Sequence, residues 1–230
     1  MTFSPTAIVT GASRGLGAGI ARRLVAEGYS VIAAARTAPA IEGATNVAAD
    51  ITSGDDVRAL VEHARTGIAL LVNNAAALPV LDSFEELTLE RFRRGFDVDV
   101  FGTLALTQAA APKLGGGTVI NVVAARWGIP AGAAHLSISP SQAALTALTR
   151  NLAAVLAPGI VVHGLAPYIT PEGETGRTAA PALGITFDDG FLTAEQVGDA
   201  VVRLAGERDS ALWTVDADQL SIVTSVPIGV

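Results

Sequence analysis

The chain has 230 residues, half of them hydrophobic, with no cysteine and a formal net charge of −7. That acidity, with Lys and Arg dispersed, excludes a nucleic-acid footprint or a polybasic membrane patch, and the absent cysteines exclude disulfides, thiolate metal sites and a cysteine nucleophile. A single domain spanning residues 1–230, a small-molecule substrate, no metal and a cytoplasmic location are expected, because no apolar run approaches membrane-spanning length and Met1 to Thr6 carry no secretion pattern.

The first predicted elements are the apolar run Ala7-Ile8-Val9, a glycine turn from Thr10 to Gly17, and a helix-patterned stretch over Ile20–Glu27. Glycines at 11, 15 and 17 remove the Cβ atoms that would hold a pyrophosphate off the backbone, and the helix start presents N–H groups and partial positive charge to it. A dinucleotide site follows from that order of strand, turn and helix. Ser30 to Ala35 reads as a buried parallel strand ending at Arg36, and Thr45 to Ala49 as a third strand ending at Asp50. Ser53 caps a helix through Ala64, with Asp55 and Asp56 in its favourable first turn.

Ala69 to Val72 forms a fourth strand, followed by Asn73-Asn74-Ala75-Ala76. A polar, exposed stretch from Leu81 to Arg94 leads to a long Ala-rich helix over Val98–Leu114, stopped by Gly115-Gly116-Gly117, and Thr118 to Val123 is a fifth strand. A second Ala-rich helix runs from Ser139-Pro140 to Leu156, and Ile160 to Leu165 is the sixth strand. Residues 167–192 form a long Gly-, Pro- and Thr-rich connection, read as a mobile substrate lid. Thr193 caps a last helix through Leu204, Ala211 to Val215 is a further strand, and the tail to Val230 is apolar. Repeated βα units predict an α/β, Rossmann-type doubly wound parallel sheet of about seven strands, with helices on both faces and a ligand crevice at the carboxyl ends of the strands.

On Thr10-Gly11, Gly15 and Gly17, on Asp50-Ile51 and on Asn73-Asn74-Ala75-Ala76, nearly the whole chain resembles the short-chain dehydrogenase/reductase family. The resemblance implies a nicotinamide cofactor held by Thr10, Gly11, Ser13, Arg14, Gly15, Leu16 and Gly17 in the turn. Arg36, Asp50, Ile51, Asn73, Asn74, Ala75, Pro167 and Thr170 complete the expected cofactor set. An NAD site usually carries a carboxylate at the end of the second strand, whereas this chain has Ala35-Arg36 there, with Arg14 in the turn; guanidinium groups suit a 2′-phosphate, so NADP(H) is favoured over NAD(H).

The same resemblance implies an Asn, Ser, Tyr and Lys set of catalytic residues, and each position is changed. Ile138-Ser139-Pro140-Ser141-Gln142 aligns with Tyr-x-x-Ser-Lys, so Ile138 stands for the tyrosine and Gln142 for the lysine; Ala124 or Ala125 stands for the serine and Asp99 for the asparagine. The only tyrosines are Tyr29 and Tyr168 and the only lysine is Lys113, so no shifted Tyr-x-x-x-Lys exists. Candidates to act there instead are Asp99, as base or cation stabiliser or as a hydrogen-bonded structural residue; Arg126, as partner of Asp99 or of a substrate anion or as a solvated loop residue; His135, as proton donor or plain loop residue; and Tyr168, as relocated hydroxyl, pocket filler or block.

Three functions are compatible with these residues. In the first, NADPH delivers hydride to a pre-activated substrate such as an imine or iminium, which needs no tyrosine acid. The second is a non-redox isomerisation, elimination or cyclisation using Asp99, His135 or Tyr168. The third is an inactive NADP-sensing or partner subunit. The intact turn favours the first and third over the second, and the first is placed ahead. By resemblance the two Ala-rich helices form the interface of a homodimer or homotetramer, or of a hetero-oligomer with an active relative.

Overall fold

Strand β1 (Thr6–Thr10) is buried along its whole length, and its alternate residues divide the interior in two. Ala7 and Val9 face one apolar cluster while Ile8 faces the other, as the two-residue period of a strand requires. In the computed structural model, which describes residues 4–77, 83–123, 136–167, 192–216 and 219–225, β1 leads into α1 (Gly15–Ala26), β2 (Ser30–Ala35), β3 (Thr45–Ala48), α2 (Gly54–Glu62) and β4 (Leu70–Asn73). There follow α3 (Leu89–Phe96), a π-helical segment (Asp97–Gly102), α4 (Thr103–Ala110) and β5 (Thr118–Val122). The last elements are α5 (Ser139–Leu156), β6 (Val161–Pro167), α6 (Ala194–Gly206), β7 (Ala211–Asp216) and β8 (Gln219–Ser225).

The sheet order is β3-β2-β1-β4-β5-β6-β7-β8, parallel through β7. The expected doubly wound parallel sheet is therefore present, and its order reverses between β1 and β4, which opens a crevice at their carboxyl ends. One side of the sheet is covered by α1 and α6, the other by α2, α4 and α5, and each side has its own apolar cluster. Helices α1 and α6 touch at glycine: a Cβ on Gly19 would lie 2.5 Å from the Ala194 Cβ.

The structure adds three details. The polar, exposed stretch before the first Ala-rich helix contains a helix: Leu89 to Arg94 are helical, because the Thr88 hydroxyl accepts from Arg91 N–H and Glu90 occupies the first turn. The helical path does not run uniformly from Val98 to Leu114 but passes through the π-helical Asp97–Gly102 and ends in a short 3₁₀ turn, Ala111–Lys113. The apolar tail supplies an eighth strand, β8, antiparallel to β7. Elsewhere the caps agree with expectation: Ser53 accepts from Asp56 N–H, and Thr193 forms a capping box with Gln196.

One buried titratable group lies in β6, away from the crevice. His163 is fully buried and its Nδ1 accepts from Trp213 Nε1 at 3.1 Å, which fixes the neutral ring with its proton on Nε2. Burial holds its pKa down to about 4, with the backbone carbonyls of Glu207 and Leu204 opposing only in part. Between the unfolded value near 6.5 and that depressed value the unfolded chain binds more protons, so stability is full above about pH 6.5 and falls on acidification, by about 3 kcal/mol in all. Denaturant titrations from pH 7.5 to 4 are expected to show this loss, with a flatter profile in His163→Gln; equal slopes in the two proteins would remove His163 as its source.

Candidate functional site

The glycine turn is held from inside. Thr10 Oγ1 accepts the N–H groups of Asn74 and Ala75, both at 3.1 Å, and Asn74 Nδ2 donates to Thr10 O at 2.9 Å and to Gly11 O at 3.4 Å. The end of β4 thus clasps the end of β1. Ala12 N–H donates to Ala34 O at 3.1 Å, which sets the turn carrying Arg14 alongside the strand end that carries Arg36. Gly11 and Gly15 have positive φ, 67° and 54°, a conformation that side chains resist. Gly17 is also required by the fold's own packing: a Cβ there would lie 2.3 Å from Gly11 O and 2.4 Å from Asn74 Nδ2.

Helix α1 opens onto this turn with no side-chain cap at Arg14 and no acidic residue in its first turn. That start suits an external anion, and the residues present fit the diphosphate of a dinucleotide. Ser13, Arg14 and Arg36 are exposed, and Leu16 packs partly against the core. On the next strand end, Asp50 accepts from the backbone and hydroxyl of Thr52, both within hydrogen-bond distance. Those two bonds, helped by Arg36 and by Arg94 of α3, hold its carboxyl below the usual range. Ile51 packs beneath, in contact with the position a Gly102 Cβ would take.

Asn73 does not face this turn. It is buried, and its Nδ2 donates to Asn121 Oδ1 at 2.8 Å and to Thr107 Oγ1 at 3.1 Å; Asn121 Nδ2 in turn donates to Thr149 Oγ1 at 2.9 Å. This polar chain ties β4 to β5, α4 and α5 behind the site. A polar Asn121 within an otherwise apolar strand is the signal by which sequence reading had access to it.

At the other wall, the π-helical segment carries Asp99 inward until it is fully buried. Its Oδ1 accepts from Ala77 N–H at 2.8 Å, and its Oδ2 accepts from Ser141 Oγ at 2.7 Å and Gln142 Nε2 at 2.8 Å. Burial pushes the Asp99 carboxyl above the usual carboxylate range, and the three donors pull against that rise. The structure brings Asp99 and Gln142 together and adds Ser141 and Ala77. Ile138 sits at the start of α5, where its carbonyl, 2.9 Å from Ser141 Oγ, shares that hydroxyl's single hydrogen with Asp99 Oδ2. Pro167 ends β6, paired with Val215. Ala124, Ala125, Arg126, His135, Tyr168, Thr170 and nearly all of the segment 167–192 lie outside the described residues.

A profile of the short chain dehydrogenase family matches residues 5–180. The chain belongs to that family. It is 36% identical to L-fucose dehydrogenase of Oryctolagus cuniculus, over 87% of this chain and 78% of the relative. It is 32% identical to 3-oxoacyl-[acyl-carrier-protein] reductase MabA of Mycobacterium avium, over 89% and 84%. Among solved structures, 3-ketoacyl-(acyl-carrier-protein) reductase from Brucella melitensis, complexed with NADH, superposes with a TM-score of 0.78 at 26% identity, covering 93% of this chain and 97% of that one. This short-chain dehydrogenase is thus an oxidoreductase of a family that binds a nicotinamide cofactor and acts on small molecules. No helix among its described residues is long and apolar enough to cross a membrane.

Proposed function

We propose that this short-chain dehydrogenase binds NADP(H) at the β1–α1 turn and reduces a substrate that arrives already electrophilic, of imine or iminium type. The observation that carries this reading is the 2.8 Å hydrogen bond from Gln142 to Asp99. Position 142 presents an uncharged amide that donates to a carboxylate, and position 138 presents an isoleucine. The hydroxyl acid and activating cation that the family resemblance implies are therefore not supplied from α5. Nor do the described alternatives reach the site: Lys113 Nζ donates to the carbonyls of Val61 and Ala64 and to Glu62, and Tyr29 precedes β2, both at the amino edge of the sheet.

When bound, the reduced cofactor supplies hydride. The chain's own part is to hold the diphosphate at α1, to place Arg14 and Arg36 for a 2′-phosphate, and to present a carboxylate in place of a proton donor. An acceptor that already carries positive charge needs orientation more than acid catalysis. Asp99, buried and taken up by three donors, is better suited to that electrostatic role than to proton shuttling, which disfavours the non-redox alternative based on it.

Parallel calorimetric titrations with NADPH, NADP⁺ and NADH, then cofactor-oxidation assays against ketones and cyclic imines, test the reading. Tight NADPH binding with turnover on imines alone is the expected result. Turnover on ketones comparable to that on imines would overturn it. Arg36→Asp is expected to weaken NADPH binding by roughly 100-fold while changing NADH affinity little, because a charge-assisted contact is replaced by repulsion; equal losses for both cofactors would reject the 2′-phosphate role.

A second reading, a cofactor-binding subunit that assists an active relative, has one observation in its favour. Phe101 and Val155, on the two Ala-rich helical paths, are large apolar residues left 59% and 78% exposed, as an oligomer interface would require. Binding without turnover on either substrate class, together with a hetero-oligomer in solution, would select it.

A further inference from the structure

Asp99 is the one carboxylate that is fully buried among the described residues. All three of its donors, Ala77 N–H, Ser141 Oγ and Gln142 Nε2, are uncharged. No Lys, Arg or His among the described residues forms an ion pair with it. Burial favours the protonated form of Asp99 and the three donors favour the ionised form; being neutral, they leave the ionised carboxylate's charge uncancelled, and its field then extends into surroundings whose low polarisability screens it weakly.

The location of that field matters. Ala77 belongs to the same loop as Asn74, whose side chain clasps the glycine turn, while Ser141 and Gln142 open α5. Asp99 therefore joins the cofactor-side loop to the wall that carries Ile138. Its charge is built into the seam between the two halves of the crevice, and the described residues provide no opposite charge to balance it.

We propose that Asp99 is a fixed negative charge that makes this crevice select cations, so that the oxidised nicotinamide cofactor, whose ring is cationic, binds more tightly than the reduced form. The same charge favours an iminium over a neutral ketone at the substrate position. This inference rests on nicotinamide-cofactor binding, but on neither the 2′-phosphate assignment nor the imine assignment. Asp99 acts through space on the ligand's charge, as a positioning residue that fixes a potential and transfers no proton.

The test is the ratio of dissociation constants for reduced and oxidised cofactor, measured by calorimetry on the full chain. Asp99→Asn removes the charge and keeps a hydrogen-bonding side chain of the same size. Gln142→Lys leaves Asp99 in place and sets a compensating ammonium beside it. Both are expected to lower the reduced-to-oxidised ratio by roughly tenfold, the scale of one unit charge acting across a protein interior. Ser141→Ala removes one donor without changing charge and is expected to retain the wild-type ratio.

If either charge-changing variant fails to fold by circular dichroism, the other still decides the question. A ratio unchanged in the folded charge variants would overturn the proposal, and would mean that Asp99 is protonated or balanced by another group. A ratio altered as much by Ser141→Ala would also overturn it, since loss of a bond would then explain the effect. Failure of wild-type protein to bind either form would defeat the cofactor reading itself, whereas binding of both forms with an insensitive ratio defeats only the charge assignment.

Discussion

Gly17→Ala is expected to cost the protein about 3 kcal/mol or more and to abolish nicotinamide-cofactor binding, even though the change adds a single methyl group. The added Cβ would sit 2.3 Å from Gly11 O, 2.4 Å from Asn74 Nδ2 and 2.8 Å from Gly11 C. None of these atoms yields cheaply. Gly11 is itself pinned at φ 67°, with Asn74 and Ala75 close against it, and Asn74 holds the end of β1 through Thr10 O. Any relief therefore moves the turn from which α1 offers its first N–H groups. Gly115→Ala is the matched control: a Cβ there meets nothing within 4 Å, and a surface substitution of that kind changes stability by about 0.5 kcal/mol or less. Denaturant unfolding and NADPH titration of both variants check this. Wild-type stability in Gly17→Ala would show that the turn relaxes more freely than its packing allows.

The second large effect concerns recovery of carbonyl chemistry. By resemblance, Ile138→Tyr, Gln142→Lys and Ala124→Ser together restore an acid, its activator and an oxyanion donor. The structure predicts that these three substitutions gain little, because a lysine at 142 would enter beside the carboxylate that Gln142 Nε2 contacts at 2.8 Å. Its charge would be neutralised by Asp99 instead of lowering the pKa of the new tyrosine. Adding Asp99→Asn removes the competitor while keeping a side chain that can bond to Ser141 and to Ala77. The four-substitution variant is expected to reduce ketones about 10² to 10⁴ times faster than the three-substitution variant, the usual contribution of a positioned general acid. Steady-state NADPH oxidation with a simple ketone measures it. Equal rates in the two variants would show that Asp99 does not control the lysine position.

These two predictions rest on different kinds of information. The strands and most helices were legible in the sequence because burial on both faces of a parallel sheet produces short apolar runs, as at Ser30–Ala35, and because caps such as Ser53 and Thr193 act locally. Helix α3 is not legible in the sequence because half of its residues are charged and its cap, Thr88, stands within a polar stretch. Strand β8 depends on pairing with β7, which no local pattern announces. At the site, motif spacing singled out Asp99, Ile138 and Gln142, and the structure shows Gln142 bonded to Asp99. The spacing could not reveal Ser141 and Ala77 as partners, or that Asn73 points away from the glycine turn into a chain of buried amides and hydroxyls.

The sequence by itself determined the family, the doubly wound sheet, the glycine turn and the absence of a Tyr-x-x-x-Lys pair, since each depends on residue type and spacing along the chain. Only the tertiary structure decided what those residues do to one another. It showed that Gly17 is required by the turn's internal packing, that the charges of Arg36 and Arg94 both favour ionised Asp50, and that Gln142 donates to a buried Asp99. The physical reason is that hydrogen bonds and charge act over a few ångströms in space. Asp99 and Gln142 are 43 residues apart in the chain, and the π-helical segment and the start of α5 must meet before their chemistry exists.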